Sequence, residues 1–293
     1  MSTEMVYRSY AKINLYLDVL QRRRDGYHNI ETIFQTVDLY DELTFAEEPR
    51  HIDITCSTPD LDTGEGNLVY RAATLLRERF NVQDGARIHL VKNIPIAAGL
   101  AGGSGNAAAA LVALNTLWDL RISPESLRAL ALELGSDVPY CTVGGTASAT
   151  RRGELLGPLP PLAGVWFVLV HPPLAVSAAR TYNHPALTRN DAPLFAGKTR
   201  AFRQALRRLS KGDVGSVIHN RMEAPVFHDF PQLARVKSRL LDAGCAAAAM
   251  SGSGPTLFGL CATRRDAMQA AEAVAEYRTS VVRPVPLGVE RIR

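Results

Sequence analysis

The chain has 293 residues, 46% hydrophobic and 21% charged, with a formal net charge of +4. These proportions fit a globular protein of one large or two ordinary domains and exclude a fibrous or low-complexity chain. The positive excess sits in short clusters such as Arg22-Arg23-Arg24 and Arg207-Arg208, without a long basic stripe or interleaved aromatics, which argues against nucleic acid as a partner.

Residues 10–19 alternate, with Tyr10, Lys12, Asn14, Tyr16 and Asp18 on one face and Ala11, Ile13, Leu15, Leu17 and Val19 on the other. A period of two predicts a half-buried strand with Lys12 and Asn14 side by side. Asp25-Gly26 marks a turn, and 32–39 and 42–45 read as further strands. Asn67 can cap a helix running to Phe80. A strand at 87–91 leads into a glycine-rich loop at 95–106 and a helix behind it. Ser123-Pro124 opens another helix, which should end near Gly135. Ser136-Asp137-Val138-Pro139 follows, and Gly144-Gly145 leads into a strand.

The stretch Gly157-Pro158-Leu159-Pro160-Pro161 breaks the pattern and predicts a boundary between domains at 1–158 and 159–293. Beyond it lie a buried strand at 165–170, helices at 201–209 and 232–243, a strand-turn-strand at 246–260 and a helix at 264–277. Strands and helices mix in both halves, which predicts an α+β fold.

The four cysteines, Cys56, Cys141, Cys245 and Cys261, contain no Cys-x-x-Cys pair. Zinc spacing is absent, and the thiols are expected to be reduced and buried. No metal site is expected from the side chains. Lys12 and Asn14 interrupt the apolar stretch near the N-terminus, and no run approaches a membrane span. A cytoplasmic protein with no membrane partner is therefore expected.

Pro95-Ile96-Ala97-Ala98-Gly99-Leu100-Ala101-Gly102-Gly103-Ser104-Gly105-Asn106 carries the most information. Glycines let a backbone turn sharply and close on a ligand. A helix start behind them offers unpaired N–H donors and the positive end of a dipole. Together they suit anionic oxygen, above all phosphate. Neither the Walker ending nor Gly-x-Gly-x-x-Gly occurs, and such a loop is as often structural as functional. Its neighbours decide.

Three ordered segments stand together: Ala11-Lys12-Ile13-Asn14-Leu15, the loop at 95–106, and Met250-Ser251-Gly252-Ser253-Gly254-Pro255-Thr256. In these the chain resembles the GHMP small-molecule kinases, named for galactokinase, homoserine kinase, mevalonate kinase and phosphomevalonate kinase. Asp25-Gly26-Tyr27-His28 and Gly135-Ser136-Asp137-Val138-Pro139 add a likeness to the branch that phosphorylates a cytidine diphosphate-linked methylerythritol.

The resemblance implies a two-domain fold, the first domain like the second domain of ribosomal protein S5 and the second ferredoxin-like. It implies ATP as donor, with Mg2+, and Pro95, Ile96, Ala97, Ala98, Gly99, Leu100, Ala101, Gly102, Gly103, Ser104 and Gly105 around it. Lys12 and Asp137 become catalytic, the aspartate as general base. Asn14, Tyr27, His28, Lys92 and Tyr182 become substrate-binding, the aromatics stacking on cytosine and the histidine bonding the base edge. Gly105 and Asn106 stand where relatives commonly have Ser or Ala and Asp or Asn, so neither a hydroxyl nor a carboxylate is on hand there for magnesium. A monomer or weak homodimer is expected.

Locally each of these residues has a plainer reading: a solvated lysine, a capping aspartate, a surface histidine, a hairpin turn. Three other functions compete: a homoserine- or mevalonate-type GHMP kinase, a non-catalytic binding protein on the same fold, and a nucleic-acid-binding module, which the ribosomal S5-like half and the arginine clusters permit. The second would be expected to lack Lys12 or Asp137.

Overall fold

The computed structural model describes residues 4–59, 61–194 and 197–293. The first half runs β1 (Met5–Arg22), β2 (His28–Glu48), β3 (Ile52–Cys56), α1 (Leu68–Phe80), β4 (Gly85–Val91), α2 (Gly102–Leu117), α3 (Pro124–Leu134), α4 (Val138–Val143), β5 (Thr146–Arg151) and β6 (Leu155–Pro158). The second runs β7 (Trp166–His171), α5 (Ala178–Tyr182), α6 (Arg200–Leu209), β8 (His219–Asn220), α7 (Glu223–Asp229) and α8 (Pro231–Asp242). It continues with β9 (Ala247–Met250), β10 (Leu257–Cys261), α9 (Arg264–Glu272), β11 (Arg278–Val282) and β12 (Val289–Arg291).

The fold is α+β, on two sheets. The first is ordered β12-β1-β2-β4-β3, with β5 on β2 and β6 on β5. The second is antiparallel, β11-β7-β10-β9, with α8 and α9 packed on it. Numbered along the chain its strands stand 4-1-3-2, and its helices fall between the first and second strands and after the third, which is the ferredoxin-like order. Chain from the second half returns to the first sheet: β8 pairs parallel with β1 and β12 pairs antiparallel with it. No helix among the described residues is long and apolar enough to cross a membrane.

Three expectations change. The strands at 32–39 and 42–45 are one strand, β2, whose register against β1 slips at Tyr10/Ala11 and Asn14/Tyr16. Such bulges bend a strand without ending it. The helix at 264–277 ends at Glu272, where the N–H groups of Val274 and Ala275 bond carbonyls three residues back in turns that lead to β11.

The alternation at 10–19 holds, but the strand is not half-buried. Ala11, Ile13 and Leu15 are fully buried, and Lys12 and Asn14 on the other face are only 4% and 2% exposed. A buried lysine needs partners, and the next section describes them. Behind β1 the alanines at 107–110 of α2 are fully buried. Their small side chains let the helix lie close against the sheet, which brings its N-terminus up to β1.

Candidate active site

Lys12 Nζ donates to Asn14 Oδ1 at 2.7 Å and lies 3.5 Å from Asp137 Oδ2. Asn14 is held in turn, its Nδ2 donating to Thr32 Oγ1 at 2.8 Å. The lysine side chain is 5% exposed and that of Asp137 34%. The lysine amine is thus held in place, and the more open carboxylate can meet a substrate. Asp137 occupies the cap of α4 but makes no side-chain cap hydrogen bond, so its oxygens are not tied to the helix. This removes the capping reading.

The glycine loop is wound through left-handed backbone at Ala97, Gly99 and Ala101. The helix begins at Gly102, earlier than the run of alanines suggests, so Gly102, Gly103 and Ser104 are its first turn. Their N–H groups have no intrahelical carbonyl to bond, and the first N–H to find one is Gly105, to Ala101 O at 2.8 Å. Along with Pro95, Ile96, Ala97, Ala98, Gly99 and Ala101 they line a cavity of about 510 Å³. Leu100 and Gly105 do not line it: Leu100 is buried in the core, and Gly105 packs on β1.

A second cavity of about 660 Å³ is lined by Lys12, Asn14, Tyr27, His28, Asp137 and Tyr182, together with Ser136 and Arg152. Gly99, Ala101, Ser104, Ala178 and Ser253 line both cavities. The glycine loop is therefore a shared wall.

At the far end His28 and Tyr182 are stacked, ring centroids 5.3 Å apart and planes 12° from parallel. The surface-histidine reading fails, since His28 is 6% exposed and its Nε2 is buried without a partner. Burial, with the charges of Arg189 and Arg22 adding to it, holds the imidazole below its ordinary pKa, so the ring is neutral at pH 7. Tyr27 is 50% exposed, with the Arg152 guanidinium 3.8 Å from its ring centroid. Arg152 also donates from Nη2 to Ser136 Oγ at 3.2 Å, beside Asp137. Sequence reasoning missed Arg152, because an Arg-Arg pair at a strand end carries no local signal of a distant aromatic.

Lys92 does not join this group. It lines the glycine-loop cavity, makes a short ion pair with Asp41 and donates to Ile94 O at 2.8 Å. Burial lowers its pKa against the opposing pull of Asp41. Asp41 Oδ1 also accepts from Asn93 N at 2.7 Å and Ile94 N at 2.8 Å, so the pair pins the start of the loop. A fully buried carboxylate takes a lysine from the same turn in preference to leaving it for a ligand across the loop.

Among the described residues one cluster has metal-ligand groups close together: His184, His228 and Asp229. His184 Nδ1 accepts from Ala186 N at 3.1 Å, which leaves Nε2 protonated toward Asp229 Oδ1 at 3.2 Å. With that tautomer the imidazole donates to the Asp229 carboxylate, and the cluster is a hydrogen-bonded group.

Gly105 has a steric cause. A Cβ there would lie 2.5 Å from Ser9 Oγ, an oxygen that is buried without a partner. Gly105→Ala is expected to destabilise by about 1–3 kcal/mol through overpacking. Ser9→Ala/Gly105→Ala should reach or exceed wild-type stability, because it removes both the clash and the orphan oxygen and gains about 1 kcal/mol of helix propensity. Urea unfolding of the three proteins checks this, and a double variant no better than the single would refute it.

Two family models match, the GHMP kinases N terminal domain over residues 67–145 and the GHMP kinases C terminal over 194–278. The fold is that of a GHMP kinase. A curated relative from Pelotomaculum thermopropionicum, 4-diphosphocytidyl-2-C-methyl-D-erythritol kinase, is 45% identical over 92% of both chains. A crystal structure of 4-(cytidine 5'-diphospho)-2C-methyl-D-erythritol kinase superposes with a TM-score of 0.77 at 36% identity, over 96% of this chain and 98% of that one. The chain belongs to the 4-diphosphocytidyl-2-C-methyl-D-erythritol kinase family. Homoserine kinase from Cytophaga hutchinsonii shares the fold, with a TM-score of 0.78 at 21% identity over 99% of this chain and 97% of that one.

Proposed function

We propose that the protein transfers the γ-phosphoryl group of ATP to the 2-hydroxyl of 4-diphosphocytidyl-2-C-methyl-D-erythritol, in the non-mevalonate route to isopentenyl diphosphate. The observation that carries this is the pair of cavities meeting at the glycine loop, with Lys12 and Asp137 beside the shared wall.

ATP fits the cavity whose wall is the first turn of α2, its phosphates against the N–H groups of Gly102, Gly103 and Ser104. The cytidylated alcohol fits the other. Its base meets Tyr27, Tyr182 and the unpartnered Nε2 of His28, which can bond a base edge. Asn14 and Lys12 bound the end where the hydroxyl reacts. The hydroxyl oxygen attacks the γ-phosphorus in line, its proton passes to the Asp137 carboxylate, and the bond to the bridging oxygen breaks to release ADP. Lys12 faces the charge that builds on the transferring oxygens.

Mg2+ is part of this reading. The Ser104 hydroxyl and the Asn106 side-chain oxygen, which is buried without a partner, are neutral oxygens of the kind a hard cation takes. The ion would neutralise phosphate charge, with the triphosphate supplying the anionic ligands. The reading also takes 1–158 and 159–293 as the two units, and a cytoplasmic enzyme working as a monomer or weak homodimer.

A homoserine- or mevalonate-type acceptor is disfavoured, because a small alcohol leaves the His28–Tyr182 end unfilled. ADP release is measured with the cytidylated alcohol, homoserine and mevalonate. The expected result is turnover of the first alone. Release with none of them removes the kinase reading, and faster release with homoserine or mevalonate removes the acceptor assignment.

A further inference from the structure

The glycine turn at 251–254 comes from the second half of the chain, yet it lies against the catalytic lysine. A Cβ on Gly252 would be 3.3 Å from Lys12 Nζ, 3.4 Å from Asn14 Oδ1 and 3.2 Å from Gly99 O. The turn is also bonded to the glycine loop, through Ser251 Oγ to Gly99 O at 2.9 Å. That bond, with Thr256 N to Ala98 O at 3.4 Å, ties the turn to the glycine loop. Its internal bonds, Gly254 N to Ser251 O and Ser251 N to Thr256 O, fix its shape. None of these ties it to the strand of Lys12.

Asn220 supplies the hold. Its Nδ2 donates to Met250 O at 2.6 Å and to Gly252 O at 2.8 Å, and its Oδ1 accepts from Met222 N at 2.9 Å. The acceptor contact fixes which end of the amide faces the turn. The side chain is 4% exposed, so water does not stand in for it. Glu223 adds a second tie, its Oε1 accepting from Met250 N at 2.9 Å. Asn220 itself is anchored on the catalytic strand, since β8 pairs with β1 at Leu17 and Arg221 N donates to Leu17 O at 2.9 Å.

We propose that Asn220, supported by Glu223, is a positioning residue for phosphoryl transfer. It fastens the glycine turn to the strand that carries Lys12 and Asn14, and so sets the gap between Lys12 and the glycine loop. The inference rests on the kinase reading for its rate consequence, but the tie itself can be tested without it. Asparagine is required because one amide must donate twice. An aspartate of the same shape would set oxygens against two carbonyl oxygens.

Asn220→Asp and Asn220→Ser are compared with wild type in two measurements. In steady state with ATP and the cytidylated alcohol, kcat is expected to fall by about 10–100-fold, as a misplacement of roughly 1 Å does. KM for the alcohol, whose base is held far from the turn, should stay within about twofold of wild type. In amide hydrogen exchange, protection at 250–256 should drop by about tenfold or more, while the centre of the first sheet is unchanged. Serine covers the case in which the aspartate variant does not fold. A folded variant with near-wild-type kcat, or one whose loss appears as a raised KM for the alcohol, overturns the positioning role. Unchanged exchange at 250–256 overturns the tie. If wild type itself does not turn over the alcohol, the acceptor reading fails while the exchange result still decides the tie.

Discussion

Asp137→Asn is expected to lower kcat by about 10²–10⁴-fold, the range for loss of a general base. KM for ATP should change little, since Asp137 lines the other cavity and not the one proposed for the nucleotide. The substitution keeps the size of the side chain and, because Asp137 makes no cap hydrogen bond to α4, it leaves the helix intact. It does remove the carboxylate 3.5 Å from Lys12, leaving Asn14 as the hydrogen-bond partner of a buried ammonium. Part of the lost rate therefore comes from a displaced Lys12. Single-turnover rates, which isolate chemistry from product release, separate this from slow ADP departure. Phosphoryl transfer depends chiefly on positioning and charge, so the fall belongs nearer the lower end of the range if Lys12 keeps its place. Turnover within a few-fold of wild type would end the assignment of Asp137 as base.

Much of this site was legible as separate segments. The alternation at 10–19 placed Lys12 beside Asn14, and the two are hydrogen-bonded. Ser123-Pro124 and Asn67 marked helix starts that the structure has, with both capping side chains bonded as expected. What one-dimensional pattern could not give was which surfaces are covered from a distance. Lys12 reads as a solvated lysine because nothing near it in sequence announces that Phe34, Asp137 and Gly252 gather around its amine. Lys92 reads as a ligand-facing lysine because Asp41, the carboxylate that takes it, lies on another strand. Asn220 carries no signal at all: a two-residue strand is too short to show a period, and its role depends on two carbonyls of a turn. The start of α2 was misplaced for a local reason. Glycines are poor helix formers, but at a first turn their small size admits a ligand, and propensity there yields to geometry.

The largest steric effect is expected at Gly99. Its φ is +76°, in the left-handed region, and a Cβ there would lie 2.2 Å from Ser251 O and 3.0 Å from Gly254 O. Side-chain carbons do not come within 3.0 Å of such an atom, so the first contact forces a shift. Neither side can give cheaply: Ser251 is fully buried, its N–H is bonded to Thr256 O, and its hydroxyl is bonded to Gly99 O. Gly99→Ala must therefore push the glycine loop away from the glycine turn and widen the gap at Lys12. A shift of about 1 Å predicts a loss of about 10²-fold or more in kcat/KM for ATP, along with about 1–2 kcal/mol of backbone strain. Ser251→Ala should not rescue it, because the clash is with the main-chain oxygen. The two variants thus differ in kind. Ser251→Ala loses one hydrogen bond and keeps the two loops in register, so its activity should fall much less than that of Gly99→Ala. Equal losses in the two, measured as kcat/KM for ATP at matched stability, would mean that the hydrogen bond and not the close approach sets the gap.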